Sequence, residues 1–579
     1  MKVVFTAKNK KLLNLKKRPL LFLGRWCFLN ENDFAKNKHK TISYKLKKRK
    51  ELLKQYNLEK KLYEKILKEL SHILNKLHKI NFPLRAWRII IGPWLNRFVT
   101  IILDRNEIIE KLKRKVKING EVVFKRKIKN YIASDTDDFT QKASSDEWND
   151  YIFHRILILK TKLKKNVVFE HKISKSRPLF KLNFRNKVLN FINNKKLNKK
   201  KFILHNSYLG KKNILKLFFQ LKELPFKPFF NYQIDQRQNL ERIRNKITFE
   251  KKNVKNKYEN LIKTLVIENL PSIYVENFKS LLKLSKSLDY KSKSIFSCNG
   301  IYKNELFKCW AALAIQEKSK IFCGQHGGTY GISLFSYAED HELKISDYFL
   351  SWGWKIKKNK KIIPYSSMKI LNAHKLKESN TGKILIVINR NGRYLLANQS
   401  ERIDFNTAEE YTKFILDFLK KIPKFLRKKI TLKLYPNENE YLNPIKPIIL
   451  KKFGNEYKIL DDQENLRKKI DDFELVVLTN NNTSFLEMIG VNKPCVLLVN
   501  KKISFIRNAA IKDFAKLSKV KIYHVSIKSC IKHILKIHKN IKKWWDDKDT
   551  LKSKNSFTKK FVRNDDKDLK KLAQILKNV

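Results

Sequence analysis

Six short apolar runs separated by helical patterns fill residues 383 to 525, and this alternation constrains the chain more than any other feature. The runs are "KILIVIN" (383–389), "ITLKLYP" (430–436), "YKILDD" (457–462), "ELVVLTN" (474–480), "PCVLLVN" (494–500) and "KIYHV" (521–525). A continuously apolar run of this length suits a strand covered on both faces, as in a parallel sheet. Between the runs, "TAEEYTKFILDFLKKI" (407–422), "TSFLEMIG" (483–490) and "IRNAAIKDFAKLSK" (506–519) have helical spacing, the first opened by a Thr407-x-x-Glu410 capping box. Strand and helix in turn predict a doubly wound parallel α/β sheet.

A second, less regular series precedes it: "KFILHNSY" (201–208), "SIFSCNG" (294–300), "IFCGQHGG" (321–328) and "DYFLSWGW" (347–354), with helix "ELFKCWAALAIQEKS" (305–319) between them. Residues 36 to 80 are lysine-rich and helical, with leucines at three- and four-residue spacing on one packed face. The expected organisation is an N-terminal α/β unit over 1–360 with a basic helical insertion at about 36–200. A polar linker at 361–382, a second α/β unit at 383–535 and a helical tail at 536–579 follow. "RIIIGPWLNRFVTIIL" (88–103) is interrupted by Asn96 and Arg97 and falls short of the roughly 20 apolar residues of a membrane span, so it reads as a buried helix.

The formal net charge is +74. Such a charge attracts polyanions, but the lysines are spread along the whole chain with no zinc-finger or RNP-type pattern. Lysine with abundant Asn and Ile also follows from an AT-rich genome. Peripheral attraction to an anionic inner membrane is therefore expected, and no specific nucleic acid. The six cysteines form no CxxC pair, which fits a reducing compartment, and the N-terminus shows no apolar signal core, so the expected location is cytoplasmic. HExxH is absent and "AEDHE" (338–342) matches no zinc spacing, so no metal and no cofactor are expected; a solvated acidic loop is the plainer reading there.

The chain has only 14 glycines, yet Gly324, Gly327, Gly328 and Gly331 crowd around one imidazole in "CGQHGGTYG" (323–331). The segment follows an apolar strand, so it falls at a carboxyl end, where α/β sheets bind ligands. Glycines there allow close backbone approach, and His326 has the chemistry of a general base or a phosphate ligand. One of the carboxylates at 339–347 is a candidate to orient it. In "LTNNNTSFLEMIG" (478–490), Asn482, Thr483, Ser484 and Glu487 stand at the next strand-to-helix turn. Ser484-x-x-Glu487 satisfies the capping-box rule, and the same groups suit a donor's phosphate and ribose; both readings stand.

The order of "LLFLGRWCFLN" (20–30), "RAWRIIIGPWLNRFVTIILDR" (85–105), "DEWND" (146–150), "GQHGGTYGISLFSYAEDHELKISDYFLSWGW" (324–354), "LKLYPNE" (432–438), "NNTSFLEMIGVNKPCVLL" (481–498) and "KKWWDD" (542–547) resembles a family of bacterial transferases of surface-carbohydrate and O-antigen (lipopolysaccharide) biosynthesis. The family is related in pattern to GT-B glycosyltransferases and CDP-glycerol glycerophosphotransferases. The resemblance implies a GT-B-like fold, two Rossmann-like domains facing a cleft, and metal-independent transfer. It implies a nucleotide-sugar or similar donor, held mostly by the C-terminal domain, and a glycan or lipid-linked acceptor. It assigns His326 as the catalytic base or phosphate ligand, and Asn482, Thr483, Ser484 and Glu487 as donor-binding. Arg390 and Lys433, at strand ends of the second unit, would neutralise a diphosphate; the family pattern suggests Arg more often than Lys at 433. Two other classes stay open, a nucleic-acid-binding protein and a non-catalytic glycan-binding one.

Overall fold

The structure, a computed structural model, describes residues 2–7, 20–28, 34, 36–116, 131–161, 201–223, 243–249, 257–288, 291–371, 379, 381–389, 392–397, 399, 404–435, 445–460, 469–565 and 568–578. Arg390 lies outside the described residues, as do parts of the expected basic insertion (117–130 and 162–200).

All six expected C-terminal strands are present: β8 (Ile384–Val387), β9 (Ile430–Lys433), β10 (Lys458–Leu460), β11 (Leu475–Leu478), β12 (Cys495–Leu498) and β13 (Tyr523–His524). They pair in parallel in the order β10-β9-β8-β11-β12-β13. The order reverses between β8 and β11, which makes this a doubly wound sheet with its switch point there. Period-two alternation sends Ile384, Ile386, Leu475, Val477, Val496 and Leu498 into one core, and Leu385, Val476, Leu478, Cys495 and Leu497 into another on the opposite face. Both faces are apolar because both are covered.

The earlier half holds a five-stranded parallel sheet: β3 (Phe202–His205), β4 (Ser294–Ser297), β5 (Lys320–Gly324), β6 (Tyr348–Ser351) and β7 (Ile362–Pro364), in sequence order without reversal. β1 (Lys2–Val4) and β2 (Leu20–Phe22) form a separate parallel pair. Strand β7 corrects the expected linker, which was placed from 361: Ile362 and Ile363 pair with Phe349 and Leu350 and complete the sheet. Three apolar residues in a lysine-rich stretch are too little pattern to show as a strand before β6 is there to receive it.

The helices that position the site are α1 (Arg49–His78), α2 (Leu84–Lys115), α3 (Thr136–Ser144), α4 (Asp146–Lys160), α5 (Lys211–Leu221), α6 (Glu305–Ala314), α7 (Tyr337–Ile345), α8 (Phe405–Lys421), α9 (Thr483–Gly490), α10 (Asn508–Lys519), α11 (Lys548–Phe561) and α12 (Asp568–Lys577). Helix α2 is long and apolar enough to cross a membrane, but 89% of its most apolar window is buried inside the protein. Trp87, Trp94 and Phe98 pack there, against α1 and α6. The tail joins the halves: α11 packs on α9 and α10, while α12 packs on α5, and Ser294 Oγ donates to the Leu576 carbonyl at 3.0 Å.

Capping differs from expectation at two helices. Helix α8 starts at Phe405 with Asp404 as its cap, whose carboxylate accepts from the Thr407 amide at 2.9 Å, so Thr407 is the last residue of the box and not its first. Helix α9 is capped by Asn482, whose Oδ1 accepts from the Thr483 amide at 2.8 Å. Ser484 is therefore inside the first turn and the Ser484–Glu487 box does not form. In both cases an amide or carboxyl side chain upstream of the hydroxyl occupies the N-cap position and accepts from the first free amides.

Candidate active site at the facing strand ends

Strand β5 ends at Gly324, and the turn after it is fixed by Gln325. Its side-chain oxygen accepts from the Trp352 amide at 2.9 Å and from Trp354 Nε1 at 2.7 Å, while its Nε2 donates to the Gly327 carbonyl at 2.8 Å. Gln325 thus ties "QHGG" to "SWGW" beyond β6. Gly331 has φ +69°, and a Cβ there would meet the Trp354 ring at 2.5 Å, so only glycine fits.

The turn presents His326, whose side chain is 25% exposed. Its Nδ1 lies 3.0 Å from Oε1 of Glu342, a carboxylate on α7 with no exposed surface, and 2.9 Å from the Tyr330 hydroxyl. Tyr330 and Tyr302 both donate to that same Glu342 oxygen, at 2.8 and 2.7 Å. Burial, then the adjacent Glu342 charge, pushes both phenols well above their usual range, so they remain donors. A buried carboxylate at Nδ1 holds the ring proton on that nitrogen and leaves Nε2 as the basic one. Of the carboxylates in the acidic segment, Glu342 orients the histidine. Asp347 instead pairs with Arg85 at 2.6 Å. Glu339 receives two bonds from Arg507, at 2.9 and 2.7 Å, and one from the Gly331 amide at 2.9 Å. The segment is not a solvated loop: it is a helix with Glu339, His341 and Glu342 buried.

The second motif arrives from the other half. The Gly328 amide donates to Thr483 Oγ1 at 3.0 Å, and a Cβ on Gly328 would fall 2.6–2.8 Å from the backbone of Asn482 and Thr483. The histidine turn and the start of α9 therefore touch, and glycine at 328 is what lets them. Arg507 reinforces the junction, and the Leu334 amide donates to the Phe505 carbonyl at 3.0 Å. Among the described residues neither the Ser484 hydroxyl nor its amide meets a protein acceptor. Asn481, 1% exposed, has neither its amide nitrogen nor its oxygen hydrogen-bonded. Glu487 lies 3.6 Å from Lys369, which in turn sits 5.0 Å over the Tyr208 ring.

Lys433 is buried at the carboxyl end of β9, two strands from β11, and is not brought to His326. Three contributors escaped the sequence reading. Tyr302 and Tyr330 look like ordinary core aromatics, and Asn481 like one of three asparagines in a polar turn. Tyr208 and Asn206, both with left-handed backbone (φ 60° and 51°) just after β3, had a weak signal in "HNSY". Asn299 donates to the Tyr208 hydroxyl at 2.6 Å, holding that strained turn beside the same strand ends.

Solved structures with a similar arrangement include Acinetobacter baumannii MurG (10% identity, 65% of this chain and 99% of that one covered, TM-score 0.34). A UDP-GlcNAc 2-epimerase from Methanocaldococcus jannaschii (12%, 65% and 99%, 0.36) and the wall teichoic acid polymerase TagF (10%, 68% and 92%, 0.29) are also similar. No curated protein matches the sequence. A protein-family model does, over residues 1–576, and the chain belongs to the family that it describes, the LIC12162 family transferases.

Proposed function

We propose that this transferase moves a sugar, or a related phosphate-linked group, from a nucleotide-activated donor to a hydroxyl of a cell-surface glycan or its lipid-linked precursor. The observation that carries the reading is the contact of the histidine turn with the start of α9, which sets an oriented imidazole beside a helix N-terminus with open donors. His326 Nε2 takes the proton of the acceptor hydroxyl as its oxygen attacks the anomeric carbon, and the buried Glu342 carboxylate stabilises the imidazolium as it forms. The bond from that carbon to the donor's phosphate oxygen breaks, and the electron pair leaves with the phosphate. The Ser484 amide and hydroxyl, at the positive end of the α9 dipole, meet the charge that develops there. Glu487 accepts from ribose hydroxyls. Arg390 and Lys433 are proposed as cations for the diphosphate, and neither a metal nor a cofactor is assigned a step.

We place the enzyme on the cytoplasmic side, at the membrane surface. Helix α5 supports this: it buries Leu217, Phe218 and Leu221 but leaves Leu215 54% and Phe219 85% exposed, in a stripe with Lys212, Lys216 and Lys222. Apolar side chains flanked by lysines suit the interface of anionic lipid.

The test is nucleotide release from UDP-, GDP-, CDP-, CMP- and dTDP-linked donors by wild type and His326→Ala, with thermal shift on the same panel. One nucleotide class should stabilise both proteins, and only the wild type should release nucleotide. Equal release by His326→Ala would remove the imidazole from the mechanism, and stabilisation by duplex DNA alone would replace the transferase reading of this cleft.

A further inference from the structure

Three sequence motifs have no part in the cleft: "LLFLGRWC", "TIILDR" and "DEWND". They meet at one place. Arg393, in the loop after β8, donates to the Trp26 carbonyl and lies 3.2 Å from Asp146. The Tyr394 hydroxyl donates to the same carboxylate at 2.8 Å. Arg105 donates to the Leu395 carbonyl at 3.2 Å and to Asn149 Oδ1 at 2.9 Å. These bonds build a rigid wall in which the arginines are already paired, so they serve the wall and not a ligand.

That wall bounds a cavity of about 910 Å³ between α1, α2 and the second α/β unit. The volume lies within the range of small-molecule sites, roughly 300–1,000 Å³. None of His326, Glu342, Thr483, Ser484 or Glu487 lines it. Asn106 on α2 does, and although 1% exposed it has, among the described residues, neither its amide nitrogen nor its oxygen hydrogen-bonded. A buried amide left without partners is unfavourable, so a ligand that supplies both gains from a group already desolvated. The lining also carries the aromatic side chains of Trp26, Tyr44 and Phe405. Four exposed cations, Lys45, Lys54, Arg114 and Lys115, also line it, and none has a carboxylate partner among the described residues.

We propose that this cavity is a second ligand site, for a phosphorylated sugar, separate from the reacting cleft. The chemistry selects that class on three counts. An amide with a free donor and a free acceptor pairs with hydroxyls, each of which is both. Aromatic faces cover the C–H faces of a sugar ring. Unpaired lysine and arginine take a phosphate. An apolar tail would leave Asn106 unpaired, and an inorganic anion would satisfy only its donor. The sugar phosphate has two sources, a nucleotide sugar or a phosphorylated stretch of the glycan acceptor.

Calorimetric titration of the full chain tests this with glucose 1-phosphate, galactose 1-phosphate, mannose 1-phosphate and N-acetylglucosamine 1-phosphate, and with inorganic phosphate. At least one hexose 1-phosphate should bind tenfold or more tightly than phosphate. Asn106→Leu should weaken it at least tenfold, and the surface pair Arg114→Gln/Lys115→Gln, which threatens no packing, three- to tenfold. His326→Ala and Ser484→Ala should leave it unchanged. Titration of nucleotide sugars separates the sources: loss in Asn106→Leu assigns the site to a nucleotide sugar, and loss only in Ser484→Ala assigns it to the acceptor. Absence of hexose 1-phosphate binding, or equal binding by the Arg114/Lys115 pair, overturns the proposal, as does loss in the two cleft variants.

Discussion

The two strand-end turns that meet at Gly328 are opposites in how they use their polar groups. On the histidine side, Gln325, Tyr302, Tyr330 and Glu339 each hold defined partners, and His326 is clamped at Nδ1 with only its other nitrogen to offer. On the α9 side, the Asn481 side chain has no hydrogen-bond partner and the Ser484 amide and hydroxyl are open, among the described residues. A group that moves a proton must be held in one geometry before substrate arrives, because a small misplacement costs rate. A group that binds an anion must keep its donors unspent. On the proposed function, the first wall would carry the chemistry and the second would bind the donor.

The largest effect should fall on the clamped side. His326→Ala is expected to lower kcat by about 10²–10⁴-fold, the usual range for a lost general base, with donor KM little changed. Glu342→Gln keeps the shape and removes the charge, so its loss should be smaller and again in kcat. Steady-state rates on the folded variants decide this, and a change confined to KM would exchange the roles of the two walls.

Next comes the junction. Gly328→Ala puts a methyl 2.6–2.8 Å from the Asn482 and Thr483 backbone, where nothing flexible can yield. Overpacking of that kind costs about 1–3 kcal/mol, so the melting temperature should fall along with kcat/KM. Gly327→Ala is the control, since its nearest neighbour would be 3.6 Å away. Equal effects at 327 and 328 would mean that the walls do not touch in solution.

A smaller change is expected on the open side. Ser484→Ala should raise donor KM by about tenfold, the worth of one lost hydrogen bond to a charged group, with kcat held and the melting temperature unmoved because the hydroxyl bonds nothing among the described residues. A Ser484→Ala enzyme with unchanged KM and lowered stability would make the hydroxyl part of the fold and not of the site.

How far the sequence revealed this depends on the range of the signal. Strands β8, β11 and β12 of the second sheet were legible because they are buried and apolar without interruption, and the other three because they recur at the same β-α spacing. The Gly-His cluster was legible because glycines are scarce in this chain. What was hidden depends on partners far away in sequence. Nothing in "AEDHE" distinguishes Glu339, which meets Arg507, from Glu342, which meets His326, until α7 forms and turns the two toward different neighbours. Asn106 sits in an apolar helix where its lack of a partner shows only in three dimensions. Strand β7 is three residues whose pairing depends on β6.

A contrast inside the first wall gives the smallest predicted effect and the sharpest control on it. His341 precedes Glu342 on α7, yet it is buried and neither ring nitrogen has a hydrogen-bond partner among the described residues. Burial, reinforced by the Arg88 charge, pulls its pKa down to about 3. The unfolded chain protonates this histidine near its ordinary value of about 6.5 while the folded chain does not until about 3, so the unfolded state binds more protons as pH falls between the two. Its contribution to stability is thus constant above about 6.5 and declines below, by about 1.4 kcal/mol per pH unit once well under it. Urea titrations at pH 7.5 and 5.5 should show a stability gap that His341→Gln narrows by about 1.4 kcal/mol. The variant should leave kcat at pH 7.5 within twofold of wild type, because the ring meets the His326 clamp only through its contact with the Tyr302 ring and makes no hydrogen bond to it among the described residues. A large kcat loss in His341→Gln with an unchanged stability gap would show that the wall holding His326 extends one turn deeper than its hydrogen bonds do.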